Sequence, residues 1–159
     1  MTQIDRDTQI LSHIYNYCNK INKTVNRFGS NFNIFAEDND YQDSIAMNLL
    51  QIGELVSKLT EDFIKKTSDN ISWRNIKGMR NLLAHDYGSA NIEIVWQTII
   101  NDLPVLQGFC EPFAKQYQFA GEEIPEDENN GFIQTMWFLN QTDFDRSDIF
   151  MRKWVDILL

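Results

Sequence analysis

With 159 residues, the chain can bury the core of one domain but is too short for two ordinary domains. Apolar residues make up 43% and aromatic residues 13% of it, which excludes a disordered or fibrous protein. The net charge of −9 argues against nucleic-acid binding over the whole surface, although a local basic stretch remains compatible with it.

The chain shows no signal for a membrane protein. Its N-terminal residues are polar, and no stretch approaches the roughly eighteen apolar residues that a membrane-spanning helix needs. We therefore predict a cytoplasmic protein that does not bind a membrane. Cys18 and Cys110 fall on the apolar stripes of helices, where we expect free thiols rather than a disulfide.

Strand signals are scarce, and apolar residues recur at helical spacing, so the predicted fold class is all-α. A first helix is predicted over residues 5–28, where Gly29 would end it. A polar connector, residues 31–40, leads to a second predicted helix over residues 41–66. The first half of the chain is therefore expected to form two long antiparallel helices.

The second predicted helix carries more apolar surface than one core contact requires. Besides its main stripe it contains Met47, Leu50 and Leu55. This excess indicates a second partner for the helix, and another copy of the chain is one candidate.

Two more helices complete the predicted bundle. Ser72 is a plausible N-cap for a short third helix that ends near Gly88. A fourth helix opens at Asn91, and we expect a kink at Pro104 because proline removes one backbone hydrogen bond. Residues 1–118 are therefore predicted to form an up-down helical bundle.

The composition changes after residue 118. Residues 119–131 are rich in acidic side chains and end in an Asn-Asn-Gly turn, so we predict an acidic linker or loop. Residues 132–159 regain apolar content and form a predicted C-terminal extension, which we expect to be helical. This extension could pack on the bundle or on a dimer mate, or it could engage a protein partner.

Positive charge is concentrated in residues 58–80. This stretch has six basic and three acidic residues, which gives it a charge of +3 and leaves −12 for the remainder. It could contact a nucleic acid. Alternatively, its lysines could be solvated helix ends that complement the helix dipole.

The basic stretch leads directly into a group of polar residues on the third predicted helix. At about 100° per residue, these side chains share one broad face, while apolar residues occupy the opposite arc. The group consists of Arg80, Asn81, His85 and Tyr87, with the small Ala84 between them.

Arg80 and His85 have the chemistry to cleave RNA. A guanidinium can hold a phosphate in two-point contact, and an imidazole can transfer a proton, which typically contributes about 10²–10⁴-fold to a rate. Together they could support attack of a ribose 2′-hydroxyl on the adjacent phosphate without a metal ion. One helix offers one histidine, so two copies would be needed to supply both an acid and a base. Arg and His five residues apart also occur by chance, and from these residues alone an ordinary surface histidine is the simpler interpretation.

A family resemblance favours a catalytic role for Arg80 and His85. Arg80, His85 and Tyr87 match the R-x4-H-x-Y signature of HEPN domain toxins of the HepT type, and the chain resembles that family over about residues 5–118. Further similar segments are Ile52-Gly53-Glu54, Trp73-Arg74, Gly78-Met79-Arg80-Asn81 and Asp102-Leu103-Pro104.

The resemblance implies a HEPN-like bundle that acts as a homodimeric, metal-independent endoribonuclease. Arg80 and His85 would be the catalytic pair, with Asn81 in support. Arg74 and Lys77, in the basic stretch, are candidate RNA contacts. We expect neither a cofactor nor a metal site.

The resemblance also implies a protein partner. In type VII-like toxin–antitoxin pairs of this kind, an MNT-type nucleotidyltransferase silences the toxin by attaching AMP to the tyrosine that matches Tyr87. Such a modification would place negative charge beside Arg80. The alternative is a non-catalytic helical partner subunit of a nucleotidyltransferase.

Two residues outside this segment, His13 and Glu54, have side chains that could be functional. His13 has no second ligand in sight, so a metal site there is not expected. Glu54 lies away from the main stripe of the second helix, where a structural salt bridge and a place in the functional cleft are both open.

Overall fold

A computed structural model describes residues 5–86, 88 and 90–119. The regular structure of this part is helical and contains no strand, which confirms the predicted all-α class. The predicted linker and C-terminal extension lie outside the described residues, except for residue 119. The α-helices are α1 (Arg6–Phe28), α2 (Phe32–Glu37), α3 (Asn39–Val56), α4 (Glu61–Thr67), α5 (Trp73–Asp86), α6 (Ile92–Gln97) and α7 (Leu103–Phe119).

Helix α1 has the bounds that its sequence predicts. Asp5 caps it by accepting hydrogen bonds from the Thr8 backbone N–H at 3.0 Å and from the Thr8 hydroxyl at 2.8 Å. Gly29 ends it with a φ of +108°, a conformation that favours glycine, and its N–H donates to the Val25 carbonyl at 2.9 Å.

The prediction that residues 31–40 form a polar connector was wrong, because these residues contain helix α2. Asn31 caps this helix by accepting from the Asn33 N–H at 2.8 Å. Phe35 is 1% exposed, and its ring centroid lies 5.1 Å from that of Tyr41 and 5.3 Å from that of Trp96. Burial of this ring between Tyr41 and the distant Trp96 stabilises a helix of six residues, which is too short to be stable in isolation.

The second predicted helix is also divided, since α3 ends at Val56 and α4 begins after Thr60. Asp7 of α1 holds the break by accepting from the Thr60 N–H at 2.9 Å and from the Thr60 hydroxyl at 2.5 Å. Thr60 in turn caps α4 by accepting from the Phe63 N–H at 3.3 Å. Thr60 followed by Glu61 and Asp62 is the sequence signal of a helix start that would have located this break.

Most of the additional apolar surface of α3 is covered within the chain itself. Leu50 and Leu55 are only 5% and 6% exposed, and α3 packs against α1, α2 and α5. Met47 is half-buried. Leu50 and Leu55 therefore need no second partner for their burial, and the second copy of the chain stays a prediction.

The core of the bundle lies around α1, which packs against both α3 and α7. Cys18 and Cys110 are buried there as free thiols, as predicted, and burial raises the pKa of Cys18 to about 12. No helix in the described part of the chain combines the length and apolar content needed to cross a membrane.

The long fourth predicted helix begins at its expected cap and is interrupted near its proline. Asn91 accepts from the Glu93 N–H at 2.9 Å at the start of α6. A π-helical turn, Thr98–Asp102, separates α6 from α7, and the Leu103 N–H donates to the Thr98 carbonyl five residues back. Pro104 follows Leu103 and has no backbone N–H to donate. The π-helical turn therefore lies just before the position where the helix loses a backbone hydrogen bond.

His13 makes the stability of the bundle depend on pH. Its ring is largely buried, with its centroid 6.2 Å from that of Tyr117, and burial lowers the pKa of His13 from its usual 6.5 to about 4. Between these values the unfolded chain binds more protons than the folded chain, so the free energy of unfolding falls as the pH decreases. The loss should approach about 3 kcal/mol below this window.

The variant His13→Gln isolates this contribution. In urea unfolding at pH 7 and pH 4.5, the wild type should lose about 2–3 kcal/mol more than the variant. Carboxylates that titrate in the same range contribute equally to both proteins. Equal losses would contradict the assignment to His13.

Candidate functional site

The candidate catalytic residues lie on one continuous helix, α5. Its first backbone hydrogen bonds run to the Ser72 carbonyl, from the N–H groups of Asn75 at 3.0 Å and Ile76 at 3.3 Å. The buried Trp73 fixes this end by donating its indole N–H to the Thr67 hydroxyl at 2.9 Å. The predicted third helix is thus confirmed, while Tyr87 lies outside the described residues.

Arg80 lies where α5 meets α3 at very close range. A Cβ built on Gly53 would be 2.2 Å from the Arg80 Cβ and 2.6 Å from its Cγ. Only glycine at position 53 lets the two helices approach this closely. The stem of Arg80 therefore lies directly against the backbone of α3.

The guanidinium of Arg80 is held by polar groups from both helices. Its Nε donates to Oε1 of Glu54, and its Nη2 makes an ion pair with the same oxygen. Its Nη1 donates to Oδ1 of Asn81 at 2.9 Å. The side chains of Arg80 and Glu54 are 18% and 13% exposed, so the pair lies at the edge of the surface, mostly covered by protein.

The remaining candidate residues form a stripe along the outer side of α5. Arg74, Lys77, Asn81 and His85 are separated by three, four and four residues, a spacing that keeps them on one side of a helix. Lys77 is half-buried, and the other three are exposed. The structure therefore places two cations, an amide and an imidazole in line, with Arg80 at the margin of this stripe.

Glu54 is the residue of this site whose role the sequence left undecided. It follows Gly53 on α3, so the close helix contact also brings its carboxylate to the guanidinium of Arg80. The sequence signal for a role in the site was its position directly after Gly53, within a segment that resembles the family.

The two histidines lie in different environments. His13 is half-buried on α1, with its Nε2 atom covered by protein, whereas His85 is exposed on α5. Within the part of the chain that the structure describes, no group of three or more histidine, cysteine, aspartate or glutamate side chains could hold a metal ion.

Comparisons with known proteins identify the family of this chain. The family described as "Ribonuclease HepT-like" matches residues 14–113. A protein of Caldanaerobacter subterraneus subsp. tengcongensis named "Putative RNase" is 34% identical over 97 residues, which cover 61% of this chain and 84% of that protein. A Methanocaldococcus jannaschii protein with the same description is 37% identical over 73 residues, which cover 46% of this chain and 60% of that protein.

A third relative, "Probable ribonuclease HepT" of Thermococcus cleftensis, is 32% identical over 84 residues, which cover 53% of this chain and 76% of that protein. No solved structure matches the chain significantly. The family match includes both helices of the Arg80 contact, α3 and α5, and extends over more than half of the chain. The chain therefore belongs to the HepT-like ribonuclease family.

Proposed function

We propose that this protein is a metal-independent endoribonuclease that acts as a homodimer and serves as the toxin of a HEPN/MNT toxin–antitoxin pair. The observation that supports this best is the placement of Arg80 and His85 on α5 of a HepT-like ribonuclease domain. Arg80 is anchored on α3 through Gly53 and Glu54, and His85 is exposed to solvent on the same helix.

Each candidate residue has a role in cleavage. The imidazole of His85 accepts the proton of a ribose 2′-hydroxyl, and the oxygen attacks the adjacent phosphorus. Arg80 stabilises the negative charge that grows on the phosphoryl oxygens, and Asn81 supports Arg80 through its contact with Nη1. The bond to the 5′-oxygen of the next nucleotide breaks, leaving a 2′,3′-cyclic phosphate.

The departing 5′-oxygen needs a proton, which calls for a second acid. In the proposed homodimer the two α5 helices line one cleft across the two-fold axis, and the histidine of the second copy supplies this proton. Arg74 and Lys77 lie on the same side of α5 as His85 and would contact backbone phosphates of the RNA. The local charge of +3 within residues 58–80 makes this binding compatible with the overall charge of −9.

Cleavage in the presence of a chelator tests the proposal. Purified protein incubated with single-stranded RNA and EDTA should yield fragments that end in 2′,3′-cyclic phosphate, detected by mass spectrometry. The same reaction with DNA is the control, since DNA has no 2′-hydroxyl and should remain intact. Cleavage that stops with EDTA and returns with added Mg²⁺ would contradict the metal-independent route.

The proposed antitoxin is an MNT-type nucleotidyltransferase that transfers AMP from ATP to the hydroxyl of Tyr87, with pyrophosphate leaving. Tyr87 follows Arg80 and His85 closely in the sequence, and the added phosphate would bring negative charge and bulk near the cation proposed to bind the RNA phosphate. Intact-mass measurement after co-expression should show addition of AMP to the wild type and none to Tyr87→Phe. Addition of AMP by a partner to a protein that never cleaves RNA would favour the alternative, a non-catalytic subunit of the nucleotidyltransferase.

A further inference from the structure

We propose that Glu54 is a positioning residue of the ribonuclease site, which fixes the plane of the Arg80 guanidinium so that its Nη1–Nη2 edge receives the phosphate. This inference rests on the proposed function. It adds a residue of α3 to a site whose other members all lie on α5.

The contacts of Glu54 define how the guanidinium is oriented. An arginine presents two edges to a bidentate partner, one formed by Nε and Nη2 and the other by Nη1 and Nη2. Both nitrogens of the first edge contact Oε1 of Glu54. A phosphate that displaces neither contact approaches along the second edge, and Nη1 can take part there because it carries two hydrogens, of which Asn81 accepts one.

The stem of Arg80 is fixed together with its head group. Its Cβ and Cγ lie against the backbone of α3 at Gly53, and its Nη1 is held by Asn81 at 2.9 Å. Gly53, Glu54 and Asn81 therefore all restrict a side chain that has many rotatable bonds. Such preorganisation raises the rate because the cation needs no reordering when charge develops on the phosphate.

The same carboxylate also carries an electrostatic cost. Glu54 and Arg80 are 13% and 18% exposed, so water screens their charges less than those of surface pairs such as Lys65 and Glu61. A negative charge this close to Arg80 weakens its attraction for the phosphate of the bound substrate. Glu54 therefore improves alignment in the transition state at the expense of ground-state binding, and the two effects can be measured separately.

The variants Glu54→Gln and Glu54→Ala separate alignment from charge. Glutamine keeps the shape and one acceptor oxygen, whereas alanine removes both. At saturating RNA, kcat should fall by about 10- to 100-fold in Glu54→Ala and by less in Glu54→Gln, since small displacements of a catalytic group have effects of this size. Binding of an uncleavable 2′-O-methyl RNA should be unchanged or up to about tenfold tighter in both variants.

Glu61→Gln is the matched control, because Glu61 is 92% exposed and pairs only loosely with Lys65 at 4.0 Å. It should retain the kcat of the wild type. A purely structural role for Glu54 would lower the melting temperature and the folded fraction, yet the folded protein would keep its kcat. Unchanged kcat per folded molecule, or a loss that appears only in KM, would overturn the positioning role.

A spectroscopic measurement tests the orientation without relying on turnover. In ¹⁵N NMR spectra, the Nε–H signal of Arg80, assigned by its absence in Arg80→Lys, should exchange slowly with water in the wild type and rapidly in Glu54→Ala. Equal exchange rates would overturn the proposed hold on the guanidinium. Absence of RNA cleavage by the wild type would instead overturn the proposed function, so the two failures are distinguishable.

Discussion

Replacement of His85 by alanine is expected to lower the rate of RNA cleavage by about 10²–10⁴-fold, the usual contribution of general acid–base catalysis. Replacement of Arg80 by alanine should lower it by about 10²–10³-fold, because a preorganised donor to the phosphoryl oxygens is lost. Both losses should appear in kcat, measured with a fluorescent RNA in the presence of EDTA. Growth inhibition in cells should be lost with them.

Arg80→Ala leaves the carboxylate of Glu54, which is 13% exposed, without this cation, so its stability must be measured alongside its activity. Arg80→Lys avoids this difficulty because it keeps the charge but lacks the planar fork of donors, and it should also be strongly impaired. Lys115→Ala is a suitable control, since Lys115 is an exposed cation on α7 that pairs with Glu111 at 3.0 Å. Cleavage at wild-type rates by both Arg80→Lys and His85→Ala would refute the proposed catalytic pair.

Replacement of Gly53 by alanine is expected to lower both stability and activity. The new methyl group would lie 2.2 Å from the Arg80 Cβ, so α3 and α5 must separate. Overpacking of this kind costs about 3 kcal/mol, of which the better helix propensity of alanine returns about 1 kcal/mol. The melting temperature should fall by about 5–10 °C, and kcat should fall as well because Arg80 is displaced.

Gly78→Ala provides a matched comparison for this change. Gly78 lies within α5, and a Cβ built there meets no atom within 4 Å. Both substitutions reduce the freedom of the unfolded chain equally, but Gly78→Ala should stabilise the protein by about 0.5–1 kcal/mol. If both variants showed the same melting temperature, the close contact between α3 and α5 would not be the determinant that we describe.

Local sequence signals were sufficient to locate several helices and the motif that they carry. The apolar spacing with Asp5 and Gly29 at its ends gave the bounds of α1, and Asn91 marked the start of α6. The motif of α5 was likewise readable, because Arg80 and His85 need only a continuous helix to lie on neighbouring turns. Signals of this kind act within a few residues along the chain.

Only the tertiary structure determined the features that depend on residues far apart in the sequence. Helix α2 is stabilised by Phe35, which packs on Trp96, and the break before α4 is held by Asp7 of α1. No local pattern specifies these partners. These contacts explain why the predicted connector contains a helix and what holds the interruption of the second predicted helix in place.

The arrangement around Arg80 has the same origin. A helical wheel gives the direction in which its side chain leaves α5, but not the helix that it meets. Only the packing of α3 on α5 places Gly53 beneath its stem and Glu54 against its guanidinium. The residue types of this site could thus be read along one helix, whereas the orientation of its cation required two helices in contact.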